Sequence, residues 1–371
     1  MLALGPVGRD TGGRTYLAGI LGPLAREEGI EVDVHVSDPS FAVPDGCRAI
    51  RHRAGPGPAG RIAAERIVAR GIDADVLLGP LNYLPGSPHG PAVVVQHNVL
   101  SLPSAAHASR DVSRLRRWYR PRALRRTLAR ATEVAAVSES LRRRLLADFP
   151  SYDPDRVRVV PLGVDAGWAA RAADARTEPP TGRVLVVAAH WDYKRLPLAL
   201  DAFADAAGEL PGARLRVAGP GDGRELTRRA ERLGVADRVE LLGHVPHERL
   251  PELYGWADAL LHLSTIESFG LPVLEAAAAG VPVVATRIDA VEEVAGDAPL
   301  WVEPDAAPGD IAEAVTRAVT DEPARTGAIE RGRARASEFT WKRSARLLAD
   351  TLREAAGVAP AAEPVAAGSP R

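Results

Sequence analysis

Short apolar runs recur along the chain, each closed by a glycine- or proline-marked loop and followed by residues at helical spacing. Val32 to Val36, Val76 to Leu78, Pro91 to Val95, Glu133 to Val137 and Val157 to Pro161 read as strands in the first half. Val184 to Ala189, Arg214 to Ala218, Val239 to Gly243, Leu260 to Leu263 and Val281 to Ala285 do so in the second. Most are apolar on both faces, as strands of a parallel sheet covered by helices are. Leu2 to Leu4 fits a short first strand, leading through a loop with Gly12 and Gly13 into an amphipathic helix to about Glu28. Later helices are expected from Ser138 as N-cap, from Pro197 to Ala207, from Ile311 to Val319 and from Trp341 to about Ala355. The pattern restarts after a stretch rich in Ala, Arg and Pro, Ala166 to Gly182, which reads as a linker between two α/β units.

One stretch carries more than periodicity. Between the strands Leu260 to Leu263 and Val281 to Ala285, Gly270 offers a free backbone turn and Pro272 suits a first helical residue. The Ala-rich residues 273 to 279 propagate the helix, and Gly280 suits the position past its end. The unit leaves a helix amino terminus at the carboxyl end of a strand, where free backbone N–H groups accept an anion. Glu267 and Glu275 flank it with seven residues between them. A carboxylate repels an anion but accepts hydrogen bonds from vicinal hydroxyls, so a diphosphate with a sugar at each end would satisfy both glutamates and the terminus. The pair alone is also compatible with two solvated glutamates on a crossover helix.

The string Glu267-Ser-Phe-Gly-Leu-Pro-Val-Leu-Glu275 resembles the glutamate, seven residues, glutamate motif of the retaining glycosyltransferases of family 4. The resemblance implies the GT-B fold, two facing doubly wound Rossmann-like domains with a cleft between them. Residues 1–165 would form the acceptor-side domain, 166–181 the linker and 182–340 the nucleotide-sugar domain. Residues 341–356 would form a helix crossing back, and 357–371 a disordered tail. In that family the first glutamate contacts the transferred hexose and the second the ribose. Backbone groups matching Phe269, Gly270 and Leu271 hold sugar and diphosphate. Lys194 matches a lysine that grips the diphosphate, Gly12 and Gly13 a loop facing it, and His97 a histidine near the reacting sugar. His244-Val245-Pro246 falls where relatives read the base through backbone groups. Two departures stand out: Ala189 replaces a phosphate-binding arginine, for which Arg195 or Arg14 would compensate, and Leu162 replaces an Asn before Gly-Val-Asp165.

The implied reaction is transfer of a sugar from a UDP- or GDP-sugar to a hydroxyl acceptor with retained configuration, without metal or cofactor. A phosphorylase or epimerase on the same fold, and a non-catalytic nucleotide-sugar-binding or membrane-docking protein, are the alternatives. Asp73-Ala-Asp75 resembles a metal-binding pair but precedes its strand, the wrong end of a parallel sheet for a ligand site, and Asp258 repeats this placement. Both are expected to be solvated. Gly219-Pro-Gly-Asp-Gly223 misses the dinucleotide spacing by one residue.

Composition adds limits. The length of 371 residues suits two domains, and the single Cys47 excludes an internal disulfide framework. With no secretory pattern and no apolar run near the roughly eighteen residues of a membrane span, a cytoplasmic location is expected. A net charge of −1 gives no case for nucleic acid. The exception is local: Arg110 to Arg144 contains twelve arginines against Asp111, Glu133 and Glu139. Leu115, Trp118, Tyr119, Leu124 and Leu128 give this segment an apolar face, expected to break at Pro121. It suits an anionic membrane surface or a phosphorylated substrate or, more plainly, a pair of solvated helices.

Overall fold

The protein is described by a computed structural model covering residues 2–3, 12–36, 41–52, 72–84, 88–165, 167–175 and 179–358. Leu4, the loop before Gly12 and the tail beyond Val358 lie outside the described residues.

Two parallel sheets form the frame. The first contains β1 (Leu2–Ala3), β2 (Val32–Val36), β3 (Cys47–Arg51), β4 (Leu77–Gly79), β5 (Ala92–Gln96), β6 (Glu133–Ala136) and β7 (Val157–Val159), in the order 3-2-1-4-5-6-7. The second contains β8 (Arg183–Val187), β9 (Arg214–Ala218), β10 (Val239–Gly243), β11 (Ala259–His262), β12 (Val283–Thr286) and β13 (Leu300–Val302), in the order 10-9-8-11-12-13. Every residue of β5, β11 and β12 is buried, as expected of parallel strands with helices on both faces. In each sheet the order reverses once, between β1 and β4 and between β8 and β11, and ligands collect beyond the carboxyl ends of strands at such points.

The last helix, Trp341–Ala355, leaves the second sheet and packs on the helix Gly12–Leu24 of the first. Glycine permits this contact. A Cβ on Gly19 would lie 2.1 Å from Cε2 of the Trp341 ring. Gly19→Val should therefore push the indole out and cost about 2 kcal/mol through overpacking. A lower urea midpoint is the expected result; an unchanged one would remove Trp341 from this seat.

Four expectations are corrected. The first helix stops at Leu24, one residue past Pro23, and not near Glu28. The arginine-rich helix Arg114–Leu128 runs through Pro121 without a break. The supposed linker contains a short helix, Trp168–Asp174, whose Trp168 and Ala172 are fully buried because the indole fills a core shared with Tyr254 and Val273. Asp258 is not solvated. Its carboxylate accepts from the backbone N–H groups of Thr181, Gly182 and Arg183 at 2.9, 3.0 and 2.9 Å and pairs with the Arg183 guanidinium, tying the start of β11 to that of β8. Asp73 and Asp75, by contrast, are exposed.

Candidate active site

A cleft of about 770 Å³ takes its walls from both sheets. Gly13 and His97 line it from the first; Lys194, Val245, Glu267, Leu271 and Glu275 line it from the second. Gly12 is the first residue of its helix.

The helix Leu271–Ala278 starts at the cleft because Gly270 takes the left-handed conformation (φ 97°), which turns the chain out of the loop after β11. No side chain caps this end; Pro272 has no N–H and Val273 and Leu274 N–H donate to the Gly270 carbonyl, which leaves the Leu271 N–H and the positive dipole end at the cleft wall. The Phe269 side chain lies elsewhere, in the core against Phe339.

Lys194 Nζ donates to Glu267 Oε1 at 2.5 Å, both side chains being only 13% exposed. His262 Nε2 lies 3.2 Å from the same oxygen without the alignment of a hydrogen bond. Burial alone would raise the Glu267 carboxyl, but the Lys194 ammonium and then His262 override it and hold the carboxyl well below the carboxylate range. Burial likewise works against the charge on Lys194, and Glu267 and Tyr193 reverse it, raising its pKa. Both groups are therefore ionised at neutral pH.

Glu275, one turn into the helix, is 3% exposed. Its Oε1 accepts from His247 Nε2 at 3.0 Å and its Oε2 from the Tyr254 hydroxyl at 2.8 Å. Trp168 donates from Nε1 to the Glu275 carbonyl at 3.0 Å and lies against the His247 ring. The carboxylate is thus fixed on both oxygens, each with a lone pair remaining for a ligand hydroxyl.

His97 sits just past the end of β5, its ring edge-on to Tyr16. Its Nε2 is 2.7 Å from the Pro80 carbonyl, which can only accept, so Nε2 carries the proton and Nδ1 is the acceptor of a neutral ring. The backbone N–H groups of His97 and Asn98 both donate to Asn82 Oδ1 at 2.8 Å. Burial, opposed only by the Pro80 bond, lowers the His97 pKa from 6.5 to about 4. The unfolded chain then takes up a proton that the folded chain refuses, so stability is full above pH 6.5 and falls as pH drops toward 4. At 1.36 kcal/mol per unit the effect is at most about 3 kcal/mol, because the ring is half-buried at the cleft and partly screened by solvent. His35, held to about 4 by burial and by His52, titrates in the same window. His97→Asn should therefore remove about half of the acid-induced loss of stability, read from urea midpoints across this range. An unaltered slope would show that His97 is not buried as a neutral ring.

The two walls are joined directly. Ser138 caps the helix Glu139–Asp148 by accepting from Leu141 N–H, and it also donates to the Ser268 carbonyl at 2.7 Å in the loop between Glu267 and the helix start. The Glu293 carboxylate accepts from Glu139 and Ser140 N–H at 2.6 and 2.7 Å. Asp192, two residues before Lys194, accepts from Arg110 N–H, and its own N–H donates to Asp111, both at 2.7 Å.

Arg195 lies away from the cleft, and several residues of the site have no counterpart in the sequence reading. Arg195 is left-handed (φ 54°) and its Nη1 donates to the Pro304 carbonyl, outside the cleft, because the helix following it begins there. His247, Tyr254, His262, Ser138 as a cross-cleft donor and Arg120 were not foreseen. His262 had the same signal as His97, a histidine at the carboxyl end of a buried strand; the others had no local signal.

The family described as Glycosyl transferases group 1 matches residues 173–335, and that described as Glycosyltransferase Family 4 matches residues 11–168. The D-inositol 3-phosphate glycosyltransferase of Segniliparus rotundus is 33% identical over 212 residues, 54% of this chain and 47% of its own length. The O-antigen chain mannosyltransferase B of Escherichia coli is 39% identical over 104 residues, 28% of this chain and 27% of its own. The chain thus spans about half or less of the length of these relatives. Among solved structures, the lipopolysaccharide glycosyltransferase WaaG superposes with a TM-score of 0.74 at 20% identity, covering 95% of this chain and 98% of its own. HepE of Anabaena, solved with UDP and glucose, does so with a TM-score of 0.74 at 19% identity, covering 95% and 99%. One family match falls on each sheet, the two-sheet frame is that of GT-B enzymes, and the chain belongs to the glycosyltransferases of group 1, family 4.

Proposed function

We propose that this glycosyltransferase moves a sugar from a uridine or guanosine diphosphate sugar to a hydroxyl acceptor with retention of configuration. The observation that carries the reading is the juxtaposition, in one cleft, of the Lys194–Glu267 pair, the uncapped start of the helix Leu271–Ala278 and the buried Glu275. HepE, the structural neighbour, was solved with UDP-glucose, which favours a nucleotide sugar in a cleft of this shape.

In this reading Glu275 accepts from the ribose hydroxyls and the backbone beside Val245 faces the base. The diphosphate lies at the helix start. Its arrival draws the Lys194 ammonium off Glu267, which frees that carboxylate for the hexose hydroxyls. As the bond from the anomeric carbon to the diphosphate oxygen lengthens, Lys194 and the positive start of the helix Leu271–Ala278 stabilise the charge building on the leaving group. These fixed donors are the basis for inferring metal independence. His97 Nδ1 accepts from a hydroxyl of the sugar or acceptor, and a neutral ring does so without adding charge near the developing oxocarbenium. The acceptor hydroxyl attacks from the face the diphosphate leaves, as the family resemblance implies: its oxygen bonds the anomeric carbon as the bond to the diphosphate breaks, and its proton passes to the departing diphosphate oxygen.

The test combines protection against thermal unfolding by UDP and GDP with product analysis of UDP-glucose and GDP-mannose, with and without acceptors and with and without EDTA. A retained anomer and EDTA-insensitive turnover are expected. An inverted product, or activity restored only by added divalent metal, would sink the corresponding half. Sugar 1-phosphate formed with inorganic phosphate alone would indicate a phosphorylase.

One surface favours a peripheral role beside this activity. Leu115, Trp118 and Tyr119, 72%, 56% and 50% exposed, lie one turn apart on the helix Arg114–Leu128 among its arginines. This is the composition of a helix that rests on anionic lipid. Co-sedimentation with phosphatidylglycerol but not phosphatidylcholine vesicles, lost in Trp118→Ser, is the expected result; equal recovery with both vesicles would remove the role.

A further inference from the structure

The two walls of the cleft differ in charge. The acidic side chains lining it, Glu248, Glu267 and Glu275, all follow from the second sheet. The wall from the first sheet contributes Arg14 and Arg120 and, among the described residues, no acid.

Arg120 is singled out within its helix. Arg117 is committed to the backbone carbonyls of Ser109, Arg110 and Val112, Arg122 lies over Trp118 and donates to its carbonyl, and Arg125 lies near the Phe149 ring. Arg120 instead lines the cleft half-buried, and its inner nitrogen, Nη1, has no hydrogen-bond partner among the described residues. Its charge is felt at Tyr83, beside the first-sheet wall, and at Tyr193, which lines the second, opposing the upward push that burial gives both phenols. A guanidinium in this state lacks what it is built to hold, a planar or tetrahedral oxyanion taken by two parallel donors. One of its donors is left without a partner, and an oxyanion arriving with a ligand would supply the missing acceptor.

We propose that Arg120 seats an anionic group of the acceptor, a phosphate or carboxylate, so that the acceptor class is a charged polyol or glycan and not a neutral one. The inference rests on the transferase reading above. It places the donor on the second-sheet wall and leaves the first-sheet wall to the acceptor. The same chemistry would suit the diphosphate of the donor itself, and the experiment separates these sources.

Binding of inorganic phosphate is followed by thermal unfolding at constant ionic strength, with the full chain alone and saturated with UDP or GDP. Expected is protection by phosphate that persists in the nucleotide-saturated protein. In Arg120→Ala that phosphate affinity should fall roughly tenfold to a hundredfold, the worth of a charge-assisted hydrogen bond, while nucleotide affinity stays within about twofold. Arg120→Lys, which keeps the charge but not the fork, should recover part of it, and equal unfolding midpoints of the unliganded variants exclude a folding defect. Phosphate that adds nothing once nucleotide is bound, or a nucleotide affinity that falls with Arg120→Ala, would assign the arginine to the donor and overturn the proposal. Phosphate protection indifferent to Arg120 would overturn it as well. Failure of the wild-type chain to bind any nucleotide would instead count against the transferase reading, since the phosphate arm is measured on the unliganded protein too.

Discussion

Lys194→Ala is expected to lower turnover about a thousandfold, the scale of removing one preorganised donor at a leaving group. Nucleoside diphosphate affinity should fall strongly while free nucleoside affinity stays within about twofold, because only the diphosphate meets the ammonium. Equal losses for both ligands would show a merely structural lysine. The variant also changes Glu267, which is left buried beside His262 without its counter-ion. In the wild type the carboxyl is held below its unfolded value, so the pair contributes stability that is present above about pH 4.5 and fades as pH falls further. Without Lys194, burial is opposed only by His262, and the carboxyl rises above its unfolded value. Its contribution then has the opposite sign: present at acid pH and lost as pH rises. Lys194→Ala should thus be less stable than the wild type by roughly 3 kcal/mol at pH 7 and by much less at pH 4. Lys194→Ala/Glu267→Ala should recover most of the difference at pH 7 without recovering turnover. A penalty independent of pH would show that the pair is not ionised in the folded protein.

How much of this was visible in the chain depends on how far apart the partners lie. The helix start at Gly270 and both motif glutamates belong to one stretch of nine residues, so turn chemistry, capping and spacing announced them together. Most strands were visible because parallel strands are apolar on both faces; the edge strands β3 and β13, less buried, were not foreseen. The partners of Glu275 were not: His247 and Tyr254 stand 28 and 21 residues before it, on the other side of β11 in the chain, and only the folded packing brings them to its carboxylate. Ser138 was recognisable as a cap, a local role, whereas its bond to the Ser268 carbonyl spans 130 residues. Trp168 and Asp258 were misread for a related reason. An Ala- and Arg-rich stretch looks like solvent-exposed chain until a pocket for its one indole is known, and an aspartate at a strand start looks solvated until three backbone donors converge on it. Arg120 was hidden by abundance, since a run with twelve arginines gives no sign of which one turns inward.

Glu275→Gln should weaken nucleotide binding by roughly tenfold to a hundredfold, because it replaces a charged acceptor with a neutral amide at the proposed ribose site. The substitution is nearly isosteric, yet the cost has two parts. The amide oxygen serves either His247 or Tyr254, and the amide nitrogen then faces the other; turned toward the Tyr254 hydroxyl, it can still donate to the phenol oxygen. Folding stability should consequently fall by only about 1 kcal/mol, whereas Glu275→Ala strands both buried partners and should cost about 3 kcal/mol. Stability alone therefore cannot identify a ligand role, and the decisive comparison uses the ligand. UDP or GDP should lose affinity in Glu275→Gln, but the 2′,3′-dideoxy nucleotide should bind wild type and variant equally, since it has no hydroxyl to present. A dideoxy nucleotide that loses as much as the ribonucleotide would reduce Glu275 to a structural anchor for His247, Tyr254 and the helix that carries it. Tyr254→Phe provides the matching control. It removes one fixed donor without touching the carboxylate charge, and it should loosen ribonucleotide binding by a few-fold while leaving the dideoxy nucleotide unaffected. The two substitutions should be non-additive, because each acts through the same oxygen.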